Sequence, residues 1–414
     1  MKILILTQFF PPEMGAPPAR LFEMASRLRD RGHEVTVLTA MPNRPTGRVF
    51  EGYRGKLRMT ETIEGIRVVR TWIRPSNTPK ALRRLLADLS YLTSTMLWGW
   101  WGLGRQDVVL YQSPPLFATL AARWLKLFTR GKLVMWVSDI WPDLLVRIGQ
   151  LSETGLAFRV LSWLERYGYK HADVVAATNP GARQQIAERF PDVTTTVFSN
   201  GVDTDFFRPG LRNEALRAEL GAGPDDFLVG YVGLHGLFQG LEAVIDAADR
   251  LRDRSDIKFA MMGAGVVKEK LRAMAAEKTL ENLTFHAPRP KSDMPVVLGS
   301  IDTSLVPLAS PMPGTMPSKV YEALAAGTPI IVARHCEGAA FVEQFDVGAA
   351  FEPTDGAELA GAIRALADHR DRLEAMRTAC VDLAKRFDRN VLADRVNDVL
   401  VALHEGRHLP EVAW

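Results

Sequence analysis

The chain has 414 residues, 47% of them hydrophobic and 24% charged, which suits a soluble globular protein and excludes a low-complexity or fibrous one. That length exceeds what one hydrophobic core serves, so two domains of about 200 residues each are expected. The net charge of +3 hides a split, because residues 1–200 carry 27 Lys and Arg against 16 Asp and Glu, whereas residues 201–414 carry 24 against 32. A basic first half suits an anionic acceptor, a membrane surface or nucleic acid, and the acidic second half argues against a chain that grips a polyanion along its whole length.

Lys2-Ile-Leu-Ile-Leu-Thr7 reads as a buried strand, too short for a signal-peptide apolar region, so the protein is expected not to be secreted. The two cysteines, Cys336 and Cys380, lack metal-ligand spacing and fit a reducing, cytoplasmic setting. A Pro/Gly loop from Gln8 to Pro18 leads into a helix, Ala19 to Arg31, and then to a strand at His33–Thr39. This βαβ order recurs, with strands expected at Asp107–Tyr111, Lys132–Val137, Asp173–Ala177 and Thr195–Phe198, and a further one at Ile63–Trp72. Asn200-Gly-Val-Asp203 and the residues to Gly210 are turn-rich and separate the two charge regimes. The pattern restarts with strands at Phe227–Val232, Ile257–Met262, Leu283–Phe285, Thr303–Val306 and Thr328–Val332, between helices such as Leu241–Arg252 and Val267–Lys278. The expected fold is α/β, with two Rossmann-like doubly wound domains facing across a cleft. Residues 1–205 are expected to form the first domain, 206–388 the second, and 389–414 a helix that packs back on the first.

Several loops carry chemistry. Pro317-Ser-Lys-Val-Tyr-Glu322 starts a helix where Ser318 can cap, and the free N–H groups and Lys319 can meet diphosphate oxygens while Glu322 accepts from ribose hydroxyls. A Glu in the early turns of a helix also serves stability alone. Gly15 allows backbone approach to a phosphate, or simply makes a turn. Gly233, Gly236 and Gly263 allow the same in loops after two second-domain strands, and His235 is the side chain expected to face the cleft unless it is merely solvated. Neither a dinucleotide fingerprint nor a P-loop occurs. After the strand ending at Val137, Asp139 is placed to hydrogen-bond a sugar hydroxyl or take its proton, although capping the next turn would use it equally, and Asp143 competes. Trp136 and Trp141 flank it and suit a carbohydrate ring or isoprenoid as well as core packing. The segment 80–104 joins basic residues, Lys80 first, to Trp98, Trp100 and Trp101. It fits a helix lying on a bilayer or one with a buried face, and Asp88 disfavours a spanning helix.

These motifs, in their order along nearly the whole chain, resemble the family 4 glycosyltransferases of the two-Rossmann GT-B fold. The matching parts are the Pro-Pro-x-x-Gly loop ending at Gly15, Asp139-Ile-Trp-Pro142, Asn200-Gly-Val-Asp203, Gly233 to Gly240 and Pro317 to Pro329. The chain is most similar to polysaccharide and O-antigen transferases, including L-fucosaminyl transferases of lipid-linked intermediates. The resemblance implies retaining transfer from a nucleotide-diphosphate sugar, usually a UDP-sugar, without a metal or other cofactor. The donor would then lie on the domain of residues 206–388, and the acceptor, a polyprenyl-diphosphate-linked or other saccharide, on that of residues 1–205 near Glu13, Arg20 and Trp141, in a protein peripheral on the inner face of the cell membrane. Asp139, Glu322 and His235 would be the catalytic set. Where the family carries a first glutamate this chain has Gly314, and where it carries an Arg and a Lys the chain has Leu234 and Gln239. The diphosphate charge is then expected to fall to Lys319 and the helix start at Ser318, with Arg289. A sugar-nucleotide epimerase and a non-catalytic partner subunit are the alternatives, and nucleic-acid binding lacks a recognition module.

Overall fold

A computed structural model describes residues 1–76, 81–147 and 149–411. The chain divides into two compact units, residues 1–198 together with the segment from Ala393, and residues 199–392. The division falls after Phe198 because the residues that follow are tied to the end of the second unit. Val202 exchanges backbone hydrogen bonds with Phe387 and Arg389, and Asp388 accepts from Thr204.

Among its described residues the first unit has a sheet of β1 (Lys2–Leu6), β2 (Glu34–Ala40), β3 (Arg58–Ile63), β4 (Ile66–Thr71), β5 (Val108–Ser113), β6 (Lys132–Val137), β7 (Val174–Ala177) and β8 (Thr195–Val197), ordered β3-β4-β2-β1-β5-β6-β7-β8. Only β3 and β4 pair antiparallel. The inner strands are mostly apolar because both faces are covered. Leu4, Leu6, Val109 and Tyr111 join one core cluster, and Ile3, Ile5, Val108 and Leu110 join the other. The last helix, Arg389–Glu405, adds Ala393, Val396, Val399 and Leu400 to the second cluster.

The second unit has β9 (Phe227–Val232), β10 (Ile257–Met262), β11 (Leu283–His286), β12 (Thr303–Val306), β13 (Ile330–Ala333) and β14 (Gly348–Phe351), all parallel and ordered β11-β10-β9-β12-β13-β14. Strand order reverses between β1 and β5 in one sheet and between β9 and β12 in the other. Ligands of open parallel sheets sit beyond the carboxyl ends of the strands at such points.

Two expectations need correction here. The strand read at Ile63–Trp72 is the second arm of a hairpin, because Glu64 and Gly65 turn the chain with positive φ and leave Ile63 in β3. The tryptophans of segment 80–104 do not form one exposed row. Lys80 lies outside the described residues, and the helix Ala81–Ser94 buries Tyr91 and Leu92 before a π-helical turn at Thr95–Gly99. Trp100 stacks on Phe128 at 4.5 Å, while Trp101 stays 53% exposed. Among the described residues no helix is long and apolar enough to cross a membrane.

Candidate functional site

In the second unit three loops meet at the switch point. The first follows β9 from Gly233, the second is Gly263-Ala-Gly265 after β10, and the third precedes the helix Ser318–Ala326 after β12. Backbone hydrogen bonds from Gly233 to Met262 and from His235 to Ala264, both 2.9 Å, stitch the first two together. The fit leaves no room for side chains. Gly233 has φ 151°, and a Cβ on it would run into the Lys319 ammonium; Gly263 has φ 150°, and a Cβ there would overlap the Gly233 carbonyl. Gly236 has ordinary dihedrals and ordinary space, so its place needs no glycine.

The helix beginning at Ser318 is not capped as expected. Pro317 occupies the cap position and no side chain closes the N-terminus, while Ser318 is the exposed first helical residue. The first-turn N–H groups therefore keep their capacity to bind an anion. Lys319 points back along the helix, with its ammonium 4.4 Å from the Tyr231 ring centre. Burial lowers its pKa to about 8, against the opposing pull of Glu322. Lys319 is thus a cation held in a low-dielectric place without a carboxylate bonded to it among the described residues, an arrangement that favours an incoming anion. Glu322, one turn on and half-buried, has its carboxyl raised by burial and pulled back by Lys291, Arg389 and Lys319.

His235 was expected to face open space, yet it is wholly buried, and neither ring nitrogen has a hydrogen-bond partner. Burial first, then Lys268 and Lys319, lower its pKa to about 4, so the imidazole is neutral at pH 7. It was misplaced because Gly263 and Gly265 fold over the loop, with His235 N and O bonded to Ala264 and Val267. Lys268, missed in the sequence, clamps this arrangement by donating to the carbonyls of Gly263 and His286. Arg289 does not join the cluster. It follows β11 at the sheet edge, three strands from β12, and pairs with Glu219.

In the first unit the helix Ala16–Asp30 starts from Gly15, φ 134°, with Pro17 and Pro18 in its first turn. Two prolines remove two of the free N–H groups, so this helix start is a poorer anion site than the one at Ser318. Glu13 is 4% exposed. One of its oxygens accepts from the N–H groups of Asn43 and Arg44, at 2.9 and 3.0 Å, and the other has no partner, so it braces the loop after β2. Arg20 donates to Ser138 Oγ at 3.0 Å and lies 5.0 Å from the Trp136 ring. Ser138 also accepts from Gln112, which sequence reasoning missed. Asp139 keeps an exposed surface although protein surrounds its carboxyl; that crowding raises its pKa and Arg20 lowers it. Trp136 is 1% exposed and packs edge-on against Phe198, so it cannot stack on a ligand, whereas Trp141 is half-buried against the core. Asp143 is bound to Arg189 at 2.8 Å, which leaves Asp139 as the open carboxylate of this loop.

The comparisons agree with this architecture. A model of the glycosyl transferase 4-like domain matches residues 15–201, and one of the glycosyl transferases group 1 matches residues 212–381. WcaI of Escherichia coli K12, named for colanic acid biosynthesis glycosyl transfer, is 29% identical over 347 residues, covering 79% of this chain and 82% of its own. Among solved structures, sucrose-phosphate synthase of Thermosynechococcus elongatus superposes with a TM-score of 0.73 at 15% identity, covering 98% of this chain and 99% of its own. HepE of Anabaena, solved in complex with UDP, gives 0.71 at 19% identity, covering 97% and 100%. The fold is GT-B, and with two glycosyl transferase models that together match most of the chain it belongs to the family 4 glycosyltransferases.

Proposed function

We propose that this protein is a retaining glycosyltransferase that moves a sugar from a UDP-sugar to a lipid-linked saccharide in cell-surface polysaccharide biosynthesis, without a metal. The observation that carries this reading is the Lys319 ammonium, buried beside Gly233 at an uncapped helix start, with Glu322 one turn further on. Diphosphate oxygens would bind Lys319 and the first-turn N–H groups, and Glu322 would accept from the ribose. The name of WcaI supports the polysaccharide setting and the HepE complex supports UDP. The exposed Leu97, Trp101 and Phe128 support a membrane-facing first unit that meets a lipid-borne acceptor.

In this reaction the acceptor hydroxyl oxygen bonds to the anomeric carbon on the face that the diphosphate leaves. The carbon–oxygen bond to the diphosphate breaks, and the hydroxyl proton passes to the departing diphosphate. Lys319 and the helix N-terminus stabilise the charge that builds there, and Asp139 orients the hydroxyl. His235, neutral and walled in, acts as packing beneath the phosphate loop and transfers no proton.

Calorimetric titration with UDP, GDP and ADP in chelator tests the donor half. UDP binding that weakens in Glu322→Ala and in Lys319→Ala is expected, and binding unchanged in both variants rejects the assignment. For the acceptor half, Asp139→Asn should lower kcat by roughly 100-fold or more with donor KM unchanged, and a full kcat removes its role. Gly314, Leu234 and Gln239, standing where the family has charged residues, favour one alternative, a partner subunit; UDP binding without any product from lipid extracts selects it.

A further inference from the structure

The first unit contains a second basic place that the site described above does not use. A cavity of about 400 Å³ opens beyond the carboxyl ends of β2 and β4, where the loop after Ala40 and the residue after Thr71 meet the β3 approach. Three cations line it, Arg48, Arg54 and Lys56. An adjoining cavity of about 720 Å³ shares Arg48 and Arg54.

These charges are not spent on carboxylates. Arg54 donates to the Val49 carbonyl at 3.0 Å and Lys56 to the Gly52 carbonyl at 2.7 Å, while the Arg48 guanidinium has no partner among the described residues. Glu61, which accepts from the Tyr53 hydroxyl of the cavity wall, is also occupied by Arg70, and among the residues lining the two cavities the carboxylate is Glu51, on the wall of the adjoining one. A cavity whose mouth gathers three exposed cations against one carboxylate holds a positive potential. Its remaining walls are apolar and aromatic, with Val49, Tyr53 and the partly exposed Trp72.

The geometry points to this cavity as a binding site for the diphosphate of the acceptor, with the aromatic wall covering the apolar or sugar groups attached to it. The assignment rests on the glycosyl-transfer reading, which it deepens by naming what holds the acceptor. Position agrees with it. The cavity lies at the carboxyl edge of the same sheet as Asp139, and β2 is three strands from β6. At a strand spacing of about 4.8 Å that is about 14 Å, the reach of a short run of sugar rings between an anchored diphosphate and the hydroxyl that reacts. The pairing of charged anchor and aromatic wall also separates this ligand from a free nucleotide, whose diphosphate and ribose are assigned above to Lys319 and Glu322 in the second unit.

The test is calorimetry on the full chain at saturating UDP, which keeps the donor loops filled, with three probes: inorganic pyrophosphate, geranyl diphosphate and geraniol. Wild-type protein should bind geranyl diphosphate more tightly than pyrophosphate and geraniol weakest of all. The variant R48A/R54A/K56A should lose at least tenfold in geranyl diphosphate affinity and keep its UDP affinity within twofold. Arg48→Gln alone, whose side chain holds no other part of the protein, should lose about threefold with an unchanged melting temperature. Equal binding of geranyl diphosphate by wild type and triple variant overturns the assignment, as does wild-type protein that binds neither diphosphate. Equal affinity for pyrophosphate and geranyl diphosphate, both lost in the triple variant, overturns the aromatic wall and leaves a plain phosphate site. Failure of wild type to bind UDP while geranyl diphosphate still binds through these cations would instead sink the glycosyl-transfer reading, so the two failures are told apart.

Discussion

The Lys319 ammonium lies 4.4 Å from the centre of the Tyr231 ring and fills the space that a side chain on Gly233 would need. The glycine and the lysine are thus one feature, each requiring the other. Gly233→Ala forces a residue with a Cβ into φ 151° and pushes the ammonium away, so two penalties act together. A loss of about 1–3 kcal/mol in urea denaturation is expected, with at least a tenfold loss in UDP affinity. An alanine variant that binds UDP like the wild type would show that the ammonium has another place to go.

The titration of Lys319 gives donor binding a pH signature. Its pKa is held down to about 8 by burial, so the charged form is favoured below that value and lost above it. A diphosphate stabilises the ammonium, and UDP affinity should therefore fall as pH rises from 7 to 9.5, with the bend near 8. Lys319→Arg, which stays charged across this range, should flatten the curve even if its affinity at pH 7 is lower. A wild-type curve without a bend would move the diphosphate to other residues.

Much of this was legible in the sequence and some was not, for physical reasons. The parallel strands announced themselves because burial on both faces demands unbroken apolar runs, as at Val108–Tyr111. Gly348–Phe351 did not, since Gly-Ala-Ala-Phe has no β-branched residue and takes its strand conformation from pairing with β13. The Ser318 helix was placed correctly because Pro317 and Gly327 punctuate it, but the cap was assigned to the wrong residue. For His235 a glycine-rich loop suggests access, and only the folded structure shows Gly263 and Gly265 closing over it. Trp136 and Trp141 look alike in sequence and differ in whether they lie within a buried strand or beyond it. Trp136, inside β6, points into the core, whereas Trp141, in the loop beyond, is only half-buried.

Two buried groups should give stability opposite pH slopes. His235 is neutral in the folded protein down to about pH 4 and has an ordinary pKa when unfolded, so the unfolded chain binds the extra proton between about 6.5 and 4. Stability falls as pH drops through that window, by ~3 kcal/mol at most. Glu165 behaves the other way. Burial raises its carboxyl to about 7, against Arg189, so the folded protein holds a proton that the unfolded chain has released. Its contribution is complete below about 4.5 and is lost as pH rises to 7. Relative to wild type, His235→Leu should flatten the acid fall in stability and Glu165→Gln should steepen it. Urea midpoints measured from pH 4 to 8 decide this, and parallel curves for all three proteins would refute both assignments.

Arg70 is the fully buried cation of the first unit whose loss should be felt most widely. It sits inside β4 at 0% exposure and donates to the Ala40 carbonyl at 3.1 Å, to the Pro11 carbonyl and to Glu61, with the Tyr53 ring 5.2 Å from its guanidinium. One side chain therefore ties the Pro/Gly loop before Gly15 to the end of β2, to β3 through Glu61, and to Tyr53 on the wall of the basic cavity. Arg70→Met keeps the volume but takes this donor from two carbonyls and leaves Glu61 with the Tyr53 hydroxyl and no cation, which costs about 3–5 kcal/mol when one partner of a buried pair is removed. Because the described partners of Arg70 all belong to the first unit, UDP affinity should stay within twofold, while geranyl diphosphate binding and kcat both fall. A stability loss under about 1 kcal/mol would mean that water replaces the guanidinium, and a parallel loss of UDP affinity would mean that the variant has unfolded more than its own loops.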